Sequence, residues 1–148
     1  MIWKPHVTVA AVAQRHGQFL LVQERVNGES VLNQPAGHLE DNESLLDAVV
    51  RETLEETGWH FSPEAITGIY RWREPDALRT YLRVCFAGTL VGQVPDAVLD
   101  DGIEQAVWLS REQVLQQTGQ LRSPLVLRCI DDYLAGANYP IGLLRDIE

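Results

Sequence analysis

Nothing in this chain approaches the run of about eighteen apolar residues that a membrane-spanning helix requires, so no membrane partner is expected. The start, MIWKPHVTVAAVAQ, lacks a charged leader feeding an apolar run of signal-peptide length, which makes a soluble, unexported, cytoplasmic protein the expectation. Cysteine is scarce. The two present, Cys85 and Cys129, fall at apolar phases without metal-ligand spacing, so buried thiols are expected rather than a disulfide or a zinc site. Basic residues are also few: 12 Lys and Arg stand against 21 Asp and Glu, and the net charge of −9 disfavours a nucleic-acid polymer as partner. Repeats, low-complexity tracts and long linkers are missing as well. With 148 residues and 45% hydrophobic content, one compact domain over residues 1–148 is expected.

What the chain does have is a local concentration of acid. Seven acidic residues between Glu40 and Glu56 face a single basic one, Arg51. The segment from Gly37 to Trp59, GHLEDNESLLDAVVRETLEETGW, reads as a loop followed by a helix. Asn42 or Glu43 opens that helix, Leu45, Leu46, Ala48, Val49 and Leu54 form its apolar side, and Gly58 ends it. At about 100° per residue, Glu52 and Glu56 project nearly in line and Glu55 lies beside them. Carboxylates that close raise the cost of ionising one another, so a cation is expected to offset them. Oxygen-only ligands favour Mg²⁺, with Mn²⁺ as a possible substitute. Taken alone, Glu55 and Glu56 also fit an ordinary solvated helix face.

Around the helix, His6 to Ala13 and Phe19 to Gln23 read as the two strands of a hairpin turning at Arg15–Gln18, and Asn27-Gly28 marks a second turn. Pro35 and Gly37 are expected to prevent regular structure in NQPAG and to let the backbone approach a ligand. Strand signals return at Ile66–Arg73, Arg79–Leu90 and Glu104–Leu109. Ser110 looks like the cap of a short helix carrying Val114 and Leu115, and Ser123-Pro124 opens another that runs to Gly136. Strands interleaved with helices, several of them hairpin-like, point to an α/β protein with a mixed sheet between helices.

The spacing of Gly37, Glu43, Arg51-Glu52, Glu55-Glu56, Gly58 and bulky Trp59 resembles the box of the Nudix hydrolase family, here at residues 37–59. Thr53 stands where that pattern has a bulky aliphatic, and it is expected on the helix's packing side. The resemblance implies an α/β/α sandwich with a mixed β-sheet and a metal-dependent hydrolase of diphosphate linkages. It further implies that Glu55 and Glu56 are the primary metal ligands, Glu52 a further or water-mediated one, and the Gly37 carbonyl an additional oxygen. Arg51 is similar to the family's structural arginine, through which Glu43 would orient the acidic side chains.

The general base comes from different places in this family. Glu104, at the start of a strand-like run in the acidic stretch DDGIE, is the expected base; Glu52 is a serious alternative, and Asp100 and Asp101 poorer ones. His38 either contacts substrate or caps the loop, whereas His6 and His16 read as strand or turn residues. Trp72 and Tyr81 either offer flat faces to a substrate ring or pack in the core. Arg83 and Arg25 suit phosphate by their guanidinium geometry, although Arg25 suits surface solubilisation equally well.

Beyond the box, KPHVTVA, NQPAGHLE, WREPD, LRSPLV and Tyr139-Pro140 together resemble a bacterial phosphatase branch of the family. That branch implies release of orthophosphate from nucleoside tri- and diphosphates and from pyrimidine pyrophosphates, including hydroxymethylpyrimidine diphosphate and thiamine diphosphate. Two alternatives stay open. One is an ADP-ribose or other nucleotide-sugar pyrophosphatase, because Pro75 lies sixteen residues after Trp59, near where that branch carries a proline. The other is a non-catalytic nucleotide-sensing domain, although such domains usually lose box carboxylates and Glu52, Glu55 and Glu56 are all present. A small phosphorylated molecule is the expected partner, with a monomer expected and a dimer left open.

Overall fold

The computed structural model describes residues 1–147. Its strands are β1 (His6–Val12), β2 (Gln14–Arg15), β3 (Gln18–Val26), β4 (Glu29–Asn33), β5 (Ala36–His38), β6 (Trp59–Arg73), β7 (Thr80–Gln93), β8 (Ile103–Ser110) and β9 (Tyr139–Pro140). The α-helices are α1 (Leu45–Thr57), α2 (Arg111–Leu115) and α3 (Leu125–Leu134). Among the described residues, no helix is long and apolar enough to cross a membrane.

One sheet runs β5-β1-β7-β6-β9, with β1 and β7 parallel and its other pairs antiparallel. The second sheet is antiparallel and centres on β3, which pairs with β2, β4 and β8. The parallel β1 is buried on both faces, which is why its sequence is nearly continuous in small apolar residues instead of alternating with polar ones. Val9 and Ala11 enter one core cluster with Ala48 and Val49 of α1; Ala10 and Val12 enter another with Val114 of α2 and Val126, Cys129 and Ile130 of α3. Helices therefore cover both faces of a mixed sheet, as the α/β/α resemblance implied. Cys85 and Cys129 are free and buried.

Three local readings are corrected. The expected hairpin between His6–Ala13 and Phe19–Gln23 does not form: β1 lies between β5 and β7, and the turn at His16-Gly17 closes β2 onto β3. A two-face apolar strand needs neighbours that bury both faces, which a hairpin partner alone does not supply. The helix opens at Ser44, whose side chain accepts from the Asp47 N–H at 3.1 Å, and not at Asn42 or Glu43. Asn42 instead takes a left-handed φ of 59°. Finally, Gly37 lies inside strand β5, because Thr8, Val9 and Ala10 of β1 pair with His38, Gly37 and Ala36. Gly58 does close α1 at a left-handed φ of 75°.

Candidate active site

The α1 helix buries Ala48, Val49 and Thr53 against the core, which turns its acidic side toward β5. Thr53 is fully buried and returns its hydroxyl to the Val49 carbonyl at 2.8 Å, so a polar residue replaces the usual aliphatic without an orphaned group. Arg51 organises the acidic side. Its Nε donates to Glu43 at 2.6 Å, its Nη1 to Glu52 at 2.9 Å and Glu55 at 3.1 Å, and its Nη2 to the His38 carbonyl at 3.1 Å. That hydrogen bonding pulls the Glu43 carboxyl below its ordinary range. One guanidinium thus joins Glu43 and the His38 carbonyl to two carboxylates of the helix.

Glu52 and Glu56 are both buried. Burial pushes the Glu52 carboxyl up, opposed by Arg51, and pushes Glu56 up to about 8, opposed by the Ala36 N–H that donates to it at 3.0 Å. Gly37 permits this closeness: a Cβ there would lie 2.1 Å from the Glu52 carboxyl carbon, so any side chain would displace Glu52.

Oxygens of Glu52, Glu55 and Asp100 lie within 4.8 Å of one another. The Asp100 backbone N–H donates to the Glu55 carbonyl at 3.0 Å, which docks the acidic loop onto α1. Burial, then Asp100, pushes the Glu55 carboxyl up. Hard oxygen donors that raise one another's cost of ionisation fit a divalent cation such as Mg²⁺ or Mn²⁺. Glu52 and Glu55 are available to hold one, with Glu56 one helical turn beyond Glu52 and Asp100 beside them from outside the helix. Asp100 is the member that sequence reasoning undervalued; its only signal was the acidic run before β8.

Beside these carboxylates opens a cavity of about 380 Å³. Glu24, Glu52 and Glu56 line it together with Thr8, His38, Trp72, Tyr81, Arg83 and Arg122. Trp72 and Tyr81 are cross-strand neighbours on β6 and β7, stacked with centroids 5.8 Å apart at 22°, so they form a wall of the cavity and not a buried core pair. His38 Nε2 lies 3.2 Å from His6 Nδ1, and burial, His6 and Arg79 hold its pKa down. His6 is therefore a strand residue that also touches the site's rim. Arg122, although part of LRSPLV, and Glu24 were not among the residues expected at the site.

Two expected site residues lie elsewhere. Glu104 accepts from Ser30 Oγ at 2.6 Å and Arg25 Nη2 at 3.2 Å, and it neither lines the cavity nor joins the carboxylate group. Arg25 is exposed and also donates to the Gly28 carbonyl at 2.9 Å, so it does not reach the cavity. The cause is strand alternation: Glu24 faces the cavity, so Arg25 faces away, and Glu104 sits over the Arg25–Ser30 cross-strand pair. Asp101 is exposed and outside the carboxylate group.

Comparison with known proteins agrees with this geometry. The NUDIX domain family matches residues 3–128. The chain is 42% identical over 147 residues to phosphatase NudJ of Escherichia coli strain K12, covering 99% of this chain and 95% of that protein. A NUDIX hydrolase from Nitrosomonas europaea superposes with a TM-score of 0.95 at 48% identity, covering 97% of this chain and 98% of the other. The NUDIX domain of Shewanella oneidensis NrtR, solved in complex with ADP ribose, shares the fold at a TM-score of 0.73 and 20% identity, over 90% of this chain and 89% of the other. With its box carboxylates gathered beside a cavity and its likeness to NudJ running nearly end to end, the chain belongs to the Nudix family of hydrolases acting on pyrophosphate bonds.

Proposed function

We propose that this hydrolase releases orthophosphate from nucleoside tri- and diphosphates and from pyrimidine pyrophosphates, thiamine diphosphate and hydroxymethylpyrimidine diphosphate among them, with Mg²⁺ as cofactor. The observation that carries this reading is one cavity with carboxylates Glu52 and Glu56 at one end and the Trp72–Tyr81 pair at the other. A ring held on the aromatic pair leaves its phosphate chain pointing at the acidic end. The likeness to phosphatase NudJ supports the same reaction.

Glu52, Glu55 and Glu56, with the Gly37 carbonyl, are the groups that would hold the cation. Bound there, it supplies charge neutralisation at the phosphate and lowers the pKa of a bound water. Arg51 keeps Glu52 and Glu55 in place through the hydrogen bonds above. A nucleophilic water needs a proton acceptor beyond the helix that holds the cation, and Asp100 is the member of the cluster that does not belong to α1. Asp100 therefore takes the role expected of Glu104.

Hydrolysis of GDP in ¹⁸O-labelled water tests the reading. Labelled orthophosphate with unlabelled GMP is expected, because water attacks the terminal phosphorus; label in GMP refutes terminal attack. Pro75 keeps a second reading in view, a pyrophosphatase of ADP ribose. Clear preference for ADP ribose, yielding AMP and ribose 5-phosphate, would favour it.

A further inference from the structure

Among the described residues, two buried polar atoms of cavity-lining side chains have no hydrogen-bond partner: Thr8 Oγ1 and Arg83 Nε. Their side chains are nine-tenths buried, at 5% and 6% exposure, and the two residues are register partners on the parallel strands β1 and β7. Groups buried this deeply ordinarily find a hydrogen bond, so the pair is set up for a ligand.

The surroundings of Arg83 identify the chemistry of that ligand. Gln34, at 1% exposure, donates its Nε2 to the Ala11 carbonyl at 3.2 Å and to Cys85 Sγ at 3.4 Å. Its Oε1 is thereby left to accept from Arg83 Nη1 at 2.8 Å. The guanidinium is thus held by a neutral amide, and among the described residues it forms no ion pair. Arg122, the other arginine of the cavity, differs: it approaches Glu24 at 4.0 Å and Glu74 at 3.8 Å. Among the described residues, Arg83 is thus a buried cation without a direct ion-pair partner.

Strand register places it. Ala36, Ala10 and Cys85 form a cross-strand row at the acidic end, where the Ala36 N–H holds Glu56. His38, Thr8 and Arg83 form the next row, two residues along, and His6, Tyr81 and Trp72 the row after that. At about 3.3 Å per residue, successive rows on one face stand roughly 7 Å apart. Arg83 and Thr8 therefore sit between the carboxylates and the aromatic wall.

We propose that Arg83 and Thr8 form a subsite for the phosphate that is not transferred, the one kept by the nucleoside monophosphate product. The free Nε edge of the guanidinium and the Thr8 hydroxyl donate to its oxygens, and Gln34 acts as a positioning residue that fixes the arginine without consuming its charge. This deepens the functional reading above and rests on nucleoside diphosphates being substrates.

Equilibrium titration of wild type and Arg83→Gln with GMP, UMP, guanosine and uridine in Mg²⁺ tests it. Wild type is expected to bind each monophosphate roughly ten- to a hundredfold more tightly than its nucleoside, the range of charge-assisted hydrogen bonds. Arg83→Gln should lose most of that ratio while leaving nucleoside affinity within about threefold. An unchanged ratio overturns the proposal. So does a loss for guanosine as large as for GMP, since the arginine would then read the base edge. If Arg83→Gln does not fold, Arg83→Lys carries the test: it keeps the charge but loses the fork, so an intermediate ratio is expected and an unchanged one is again fatal. Wild-type turnover of GDP separates the two levels. A collapse of the ratio in an enzyme that does not hydrolyse GDP leaves the phosphate subsite standing and removes the substrate reading.

Discussion

Glu56→Gln in the metal-free protein is expected to raise stability at pH 8 and leave it nearly unchanged at pH 4.5. Glu56 is 8% exposed, and the Ala36 N–H donates to its carboxylate at 3.0 Å. Burial raises its pKa from the ordinary 4.5 to about 8, the Ala36 N–H opposes the rise, and Glu52, Glu24 and Asp100 add like charge. Below pH 4.5 the carboxyl is protonated in both folded and unfolded chains, so its favourable contribution is fully present. Between 4.5 and about 8 the unfolded chain releases the proton while the folded chain retains it. Stability then falls with rising pH by about 1.4 kcal/mol per pH unit, or on the order of 5 kcal/mol across the window. Glutamine does not titrate, yet its Oε1 still accepts from Ala36. The stability difference between variant and wild type should therefore open steadily with pH and reach several kcal/mol at pH 8. Urea unfolding at half-unit pH steps in EDTA measures it, and turnover in Mg²⁺ should meanwhile fall by roughly 10² to 10⁴. A stability difference flat in pH, or a glutamine variant weaker than wild type at pH 8, would refute the idea that Glu56 is a carboxylate left costly by its burial.

Asp100→Asn should lower turnover by roughly 10² to 10⁴ and remove the acidic limb of the pH–rate curve, whereas Glu104→Gln, which loses only its contacts to Arg25 and Ser30, should keep both rate and profile. The opposite pattern in steady-state kinetics would return the base to Glu104. Gly37→Ala forces its Cβ to within 2.1 Å of the Glu52 carboxyl carbon and should weaken Mn²⁺ binding at least about tenfold by calorimetric titration. Unaltered Mn²⁺ affinity would show that Glu52 does not hold the cation.

The acidic helix was legible because its signals are local. The i, i+4 spacing of Glu52 and Glu56, the apolar side at Ala48 and Val49 and the glycine cap at Gly58 all act within one element. Trp72 and Tyr81 were legible as candidates, but their fate was open between core and cavity until register stacked them on the cavity wall. Arg25 and Glu104 misled for a related reason. Each has a suitable side chain, and strand alternation pairs them with each other outside the cavity.

By itself, then, the sequence determined that α1 forms, that it ends at Gly58 and where it presents its carboxylates, since helix period, the glycine cap and hydrophobic phase depend on neighbours a few positions away. Only the tertiary structure decided that Asp100 docks on Glu55, that β1 joins β5 and β7, and that Thr8 and Arg83 meet in one cavity. Those outcomes depend on which strands bury which faces, and that choice is made by the whole core at once: a residue distant in the chain enters the site only when sheet register brings it there.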